Sequence, residues 1–181
     1  EDRSGNDITP VTGTFEVQKN QIDVAIELAG TADVEFTRQV VFKATDAAGT
    51  VLKTWTETVA FDTDNSASPT LTLYESPDDT ANLSAKTDWN LRKKVAVGEM
   101  NPGDATGQGQ ASFTEMDGSE LPGGDLNGDN VVNMLDFAVL RYWYLSTGDD
   151  AFCADIDGDD VVNTADYTLL RDSWYTTGDS M

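Results

Sequence analysis

The chain has 181 residues, with 11 basic against 33 acidic side chains, a net charge of −22, no histidine and a single cysteine, Cys153. That length suits one ordinary domain plus a smaller one, while the composition excludes an intrachain disulfide, a Cys/His zinc cluster and histidine-based nucleophilic chemistry. Phosphate contacts need clustered Lys and Arg, so the acidic balance argues against nucleic acid or an anionic membrane as partners, and no apolar run of about 18 residues offers a membrane span.

From Val11 to Phe113 the sequence alternates apolar and polar residues between turn signals, which predicts an all-β antiparallel sandwich of the Ig-like or prealbumin-like kind. Ile22, Val24, Ile26 and Leu28 give the clearest apolar face, with Asp23 and Glu27 opposite. Similar alternation runs through Val11 to Val17, Val34 to Phe42, Leu52 to Phe61, Leu71-Leu73, Ala81 to Ala85, Val95-Val97 and Ala111-Phe113, about eight strands in all. Asp46-Ala-Ala-Gly49 reads as a hairpin turn in which Gly49 supplies a positive φ. Trp55 reads as core. Trp89, set among Asn90, Arg92, Lys93 and Lys94, reads as a surface aromatic able to stack on a sugar, with Tyr74 as a second candidate.

Gly98 to Gln110 is expected to be a long loop, and the Gly- and Pro-containing stretch at 119–124 the linker between a sandwich domain (1–118) and a second unit (125–181). The linker is short, so the two units should touch. The second unit is the denser anion: it carries −10 from Gly124 onward, against −12 for the longer stretch before it.

Two copies of one pattern lie there, thirty residues apart: Asp125-Leu-Asn127-Gly-Asp129-Asn-Val131-Val-Asn133-Met-Leu-Asp136 and Asp155-Ile-Asp157-Gly-Asp159-Asp-Val161-Val-Asn163-Thr-Ala-Asp166. Side-chain oxygens at positions 1, 3, 5 and 12, a backbone carbonyl at 7 (Val131, Val161) and a polar side chain at 9 (Asn133, Asn163) can wrap a hard cation that needs six to eight oxygens. Calcium is the expected cofactor, as two ions. Position 6 is Asn130 or Asp160 in place of Gly, which the left-handed conformation tolerates, and position 12 is Asp in place of the longer Glu. Loop two has four ligand carboxylates against three in loop one and should bind more tightly. Asp136 and Asp166 each precede an expected helix, 137–145 and 167–175, with apolar stripes Phe137, Leu140, Tyr144 and Tyr167, Leu170, Trp174. Each helix is too short to stand alone, so the two stripes must bury one another.

Two such loops, each closed by Asp and followed by a helix carrying Leu140-Arg141 or Leu170-Arg171, resemble a dockerin domain over residues 123 to 180. The resemblance implies a small all-α unit of two loop-helix repeats related by a pseudo-twofold axis. It further implies a secreted, non-catalytic module that docks onto a cohesin domain in extracellular assemblies, often for polysaccharide breakdown. Partner choice would then lie at Met134, Leu135, Thr164 and Ala165, with Arg141, Tyr142, Arg171 and Asp172 around them. Trp143 and Tyr142, replaced by Ser173 and Asp172 in the second repeat, suggest a one-sided interface. The alternative is a carbohydrate-binding module, or a fragment of a secreted glycoside-degrading enzyme carrying a docking tag.

Overall fold

The computed structural model describes residues 20–30, 35–64, 66–73, 80–98 and 108–181. The expected strand at Val11 to Val17, Tyr74 and most of the loop after Gly98 lie outside them. Eight strands, β1 (Asn20–Glu27), β2 (Phe36–Thr45), β3 (Val51–Phe61), β4 (Ser66–Ala67), β5 (Thr70–Leu73), β6 (Asn82–Lys86), β7 (Lys93–Ala96) and β8 (Gln108–Phe113), precede two helices among these residues, α1 (Met134–Trp143) and α2 (Thr164–Asp172).

The strands make two sheets, one built on β1 and one ordered β3-β2-β6-β7. The β1 alternation is realised in full: Ile22, Val24, Ile26 and Leu28 are buried in one core with Val40, Phe42, Trp55, Phe61, Leu83 and Phe113. Along one edge of β1, β4 and β5 keep a single register, from Glu27 opposite Ser66 to Asn20 opposite Leu73. The break between them falls at Pro69, which has no N–H for the ladder, although its carbonyl still accepts Val24 N at 3.0 Å. β8 runs parallel to β1. Every other described strand pair is antiparallel, as the alternation predicts. The Asp46 turn also forms as read: its carboxylate accepts Ala48 N and Thr50 N, and Gly49 sits at φ 86°.

The helices begin three residues earlier than expected. Asn133 and Asn163 are the N-caps, each accepting a backbone N–H two residues on, while Asp136 and Asp166 reach back to the cap N–H. This reciprocal capping makes the closing aspartate the third helical residue rather than the one preceding the helix. The two stripes meet as predicted, with the Phe137 ring 5.9 Å from Tyr167 and 6.5 Å from Trp174.

The second core is not made by the C-terminal residues alone. Leu91 of the sandwich is fully buried in it with Val132, Leu140, Ile156, Val162 and Leu170. Residues 119–124 are stitched to the sandwich: Leu121 N donates to Glu27 O, Leu91 N to Pro122 O, and Gly124 N to Trp89 O, all within 3.0 Å. Trp89 is therefore no surface aromatic. It is 4 % exposed, donates its indole N–H to Phe152 O at 2.9 Å, and holds the Arg38 guanidinium 4.3 Å over its ring. Its polar neighbours suggested a wet segment, but Asn90 is consumed by the junction and Arg92 N donates to Asn130 across it.

Candidate functional site

Each loop is shaped by its own side chains. Asn127 accepts Asp129 N, Asp129 accepts Val131 N, and the second loop repeats this with Asp157, Asp159 and Val161. These short side-chain turns, with Asn130 and Asp160 in the left-handed region at φ 67° and 63°, curl each loop tightly. Position 4 of loop two must be glycine for a second reason. Gly158 has φ 84°, and a Cβ there would lie 3.0 Å from the Phe36 ring, which the loop covers.

The two repeats close one another. Past α1, Leu145 N donates to Val162 O of loop two and Val162 N to Ser146 O; past α2, Tyr175 N donates to Val132 O of loop one and Val132 N to Thr176 O. Gly148 N and Gly178 N similarly cap Asp160 O and Asn130 O of the opposite loop. The identity of the two Thr-Gly-Asp segments and of the paired valines follows from this exchange.

Among the described residues, three of the predicted ligands are brought together in loop two. The carboxylates of Asp155, Asp157 and Asp159 lie within 4.8 Å of one another. Burial, followed by the charge of Asp166 and then of Asp159 and Asp155, pushes Asp157 up to about 7. Asp166 is also raised by burial, against the pull of N–H donors from Asn163, Ile156 and Asp157. In loop one, Asp125 is fully buried. Its Oδ2 accepts Asn130 N, and its Oδ1 has no hydrogen-bond partner. An unpartnered buried carboxylate oxygen is costly in protein alone, and an oxygen-seeking cation satisfies it. The donor set therefore fits calcium. Asn133 and Asn163 are the exceptions within it: their Oδ1 atoms cap the helices and their amide nitrogens donate to Val131 O and Val161 O, so at position 9 they would reach an ion through water.

Sequence reasoning missed two participants from the sandwich. Lys86 Nζ bonds Asp125 Oδ2 and Asn90 O, and Arg38 Nη2 donates to Asp155 O at 2.9 Å and stands 3.7 Å from Asp155 Oδ2. Each loop thus receives one cation at its first aspartate. Alternation could have flagged Arg38, an arginine in phase with Phe36, Val40 and Phe42.

On the outer side, Met134, Leu135 and Tyr142 are 63, 61 and 78 % exposed. Arg141, Thr164, Ala165, Arg171 and Asp172 are exposed with them, the last pair bonded at 2.7 Å. Neither Met134 nor Leu135 is core. A groove of about 440 Å³ between the helices is lined by Phe137, Leu140, Arg141, Tyr144, Thr164 and Tyr167. Trp143 is half-buried against the second core, and Ser173, its counterpart, is buried.

Two calcium-type loops, each feeding a helix and each closed by the other repeat, define a paired EF-hand-like unit without entering helices. Residues 123–173 match the family model of the dockerin type I domain, and the chain carries such a domain at this position. The fold as a whole is similar to chains in two crystal structures of a type II cohesin-X-dockerin complex from Acetivibrio cellulolyticus. A C-terminal interface mutant aligns with 11 % identity and a TM-score of 0.53, and an N-terminal interface mutant with 13 % and 0.50. Both alignments cover 88 % of this chain and 97 % of the other, so the likeness spans sandwich and helices together. No match was found among curated proteins.

Proposed function

We propose that this chain is a calcium-loaded docking module that binds a cohesin-type domain through the exposed faces of α1 and α2, in a secreted assembly serving polysaccharide breakdown. Asp125, Asn127, Asp129, Asp136 and the Val131 carbonyl would hold one ion, and Asp155, Asp157, Asp159, Asp166 and the Val161 carbonyl the other. Bound calcium supplies charge neutralisation and a fixed loop curvature, which sets the angle at which each helix leaves its loop. The unit's role is adhesion and needs no catalytic residue. The dockerin match over residues 123–173 carries the reading, and the similarity to cohesin-X-dockerin chains supports it.

The exposed apolar side chains beside the loop ends supply the anchors. Tyr142, more open than Trp143, is the better central contact on α1, with Met134 and Leu135 about two turns away. Surface plasmon resonance of the full chain against a set of type I and type II cohesin domains, in calcium and in chelator, tests the proposal. Binding to at least one in calcium is expected, with loss of about tenfold or more for Tyr142→Ala; absence of binding to every cohesin of both types would refute it.

A further inference from the structure

Loop one contains a buried carboxylate whose two oxygens have different neighbours. Asp125 Oδ2 accepts Asn130 N and the Lys86 ammonium, while Oδ1 is buried with no hydrogen-bond partner. Lys86 comes from the end of β6, is itself mostly buried, and is fixed from behind by Asn90 O at 3.2 Å. It thus holds the other oxygen of Asp125 from the unpartnered one, neutralising the carboxylate while leaving Oδ1 open. Loop two also receives a cation at its first aspartate, from a different residue on a different strand: Arg38 of β2 bonds Asp155 O and approaches Asp155 Oδ2, wedged between Phe36 and Trp89, while both Asp155 carboxylate oxygens accept loop N–H groups from Gly158 and Asp160. Two unrelated sandwich positions delivering a cation to the same loop position is the observation that needs explaining.

We infer that Lys86 and Arg38 are built-in counter-charges that let the two loops stay folded without calcium and, in return, weaken calcium binding. This rests on the calcium reading above. The sign follows from which state each interaction favours. In the calcium-free chain the sandwich cation offsets repulsion among carboxylates and the cost of a buried aspartate charge. In the calcium-loaded chain the same cation lies one carboxylate away from a divalent ion and repels it. A group that stabilises the free state more than the bound state lowers affinity, and by reciprocity calcium loosens the hold of Lys86 on Asp125. The sandwich thereby sets the calcium concentration at which the docking unit responds, and Lys86 and Arg38 are positioning residues in that sense.

The test uses the full chain, with Lys86→Met, the charge-retaining Lys86→Arg, and Arg38→Gln as the independent arm at loop two. Thermal unfolding is followed by circular dichroism in chelator and in saturating calcium, and calcium binding by isothermal titration calorimetry. Wild type should keep its helices in chelator. Lys86→Met should lose thermal midpoint in chelator, keep most of it in calcium, and bind calcium at one site about tenfold more tightly than wild type; Lys86→Arg should stay near wild type, and Arg38→Gln should show the Lys86→Met pattern at the other site. Equal loss of midpoint with and without calcium, or unchanged calcium affinity in both charge-removing variants, would overturn the inference. So would a Lys86→Met chain that stays unfolded in saturating calcium, since the ion would then fail to replace the missing charge. A wild-type chain that binds no calcium would instead overturn the underlying calcium reading.

Discussion

Replacing Asp136 separates the two duties its carboxylate performs. Oδ1 accepts Leu126 N at 2.9 Å and Asn127 N at 3.1 Å, and Oδ2 accepts Asn133 N at 2.8 Å, all from a fully buried position. Hydrogen bonds to a charged group are worth roughly 1.5–3 kcal/mol each, but the exposed Asn127 end of the loop can turn to water, so Asp136→Ala should cost about 3 kcal/mol in chelator. Relief of carboxylate repulsion opposes this only weakly, because Lys86 already neutralises Asp125. Asp136→Asn keeps an oxygen for Leu126 and Asn127 but turns an amide donor toward Asn133 N–H, and should cost about 1–2 kcal/mol. Urea unfolding of the chelated full chain, followed by far-ultraviolet circular dichroism, measures both, and calorimetric titration should show one of two calcium sites lost in Asp136→Ala. Loss of that site with unchanged stability in chelator would refute the reasoning, since it would make Asp136 a ligand and nothing more.

Leu91→Ala removes a fully buried side chain that the sandwich lends to the second core, and should lower stability by about 3 kcal/mol; circular dichroism of the helices against urea checks it, and a change confined to the sandwich would contradict the shared core. Gly158→Val forces a side chain into the left-handed region and against Phe36, so it should shift the thermal midpoint down by several degrees, more than Gly128→Val, where a Cβ meets nothing within 4 Å. The fold holds a proton on Asp157 up to about 7 against an ordinary 3.8, so in chelator this group's contribution is full below about pH 4 and is lost as pH rises through about 7. The chelated chain should accordingly melt lower at about pH 8 than at about pH 5, with Asp157→Asn flattening that dependence; an unaltered profile in the variant would refute the assignment.

The parts of this molecule that repeat or alternate were legible from residues alone. Ile22, Val24, Ile26 and Leu28 announce their sheet face because burial on one side imposes a period of two, and the paired loops announce themselves because the same Asp, Asn, Gly and Val positions recur thirty residues apart. The helix starts were misread because Asp136 and Asp166 look like residues preceding a helix, while Asn133 and Asn163 bond the N–H groups that define the cap. The junction was illegible for a different reason. Period two states which face of β2 or β6 a residue takes, not what covers the end of the sandwich, so Arg38 and Lys86 carried no sign of the loops they touch. Trp89 and Leu91 lie between β6 and β7, where no periodicity applies, and Trp89's polar neighbours pointed the wrong way. The parallel β1–β8 pair was equally hidden, since alternation carries no strand direction.

The reciprocal clasp between the repeats moves the true edge of the docking unit outward. The family match ends at residue 173, yet Tyr175 N and Gly178 N hold loop one and Asp179 N fastens to Arg92 O of the sandwich. A chain cut at the end of the match would keep both acidic loops and lose the buckle of the earlier one, the one farthest away in sequence. Neither repeat can be inherited, trimmed or transplanted by itself, because each carries the fastener belonging to its twin.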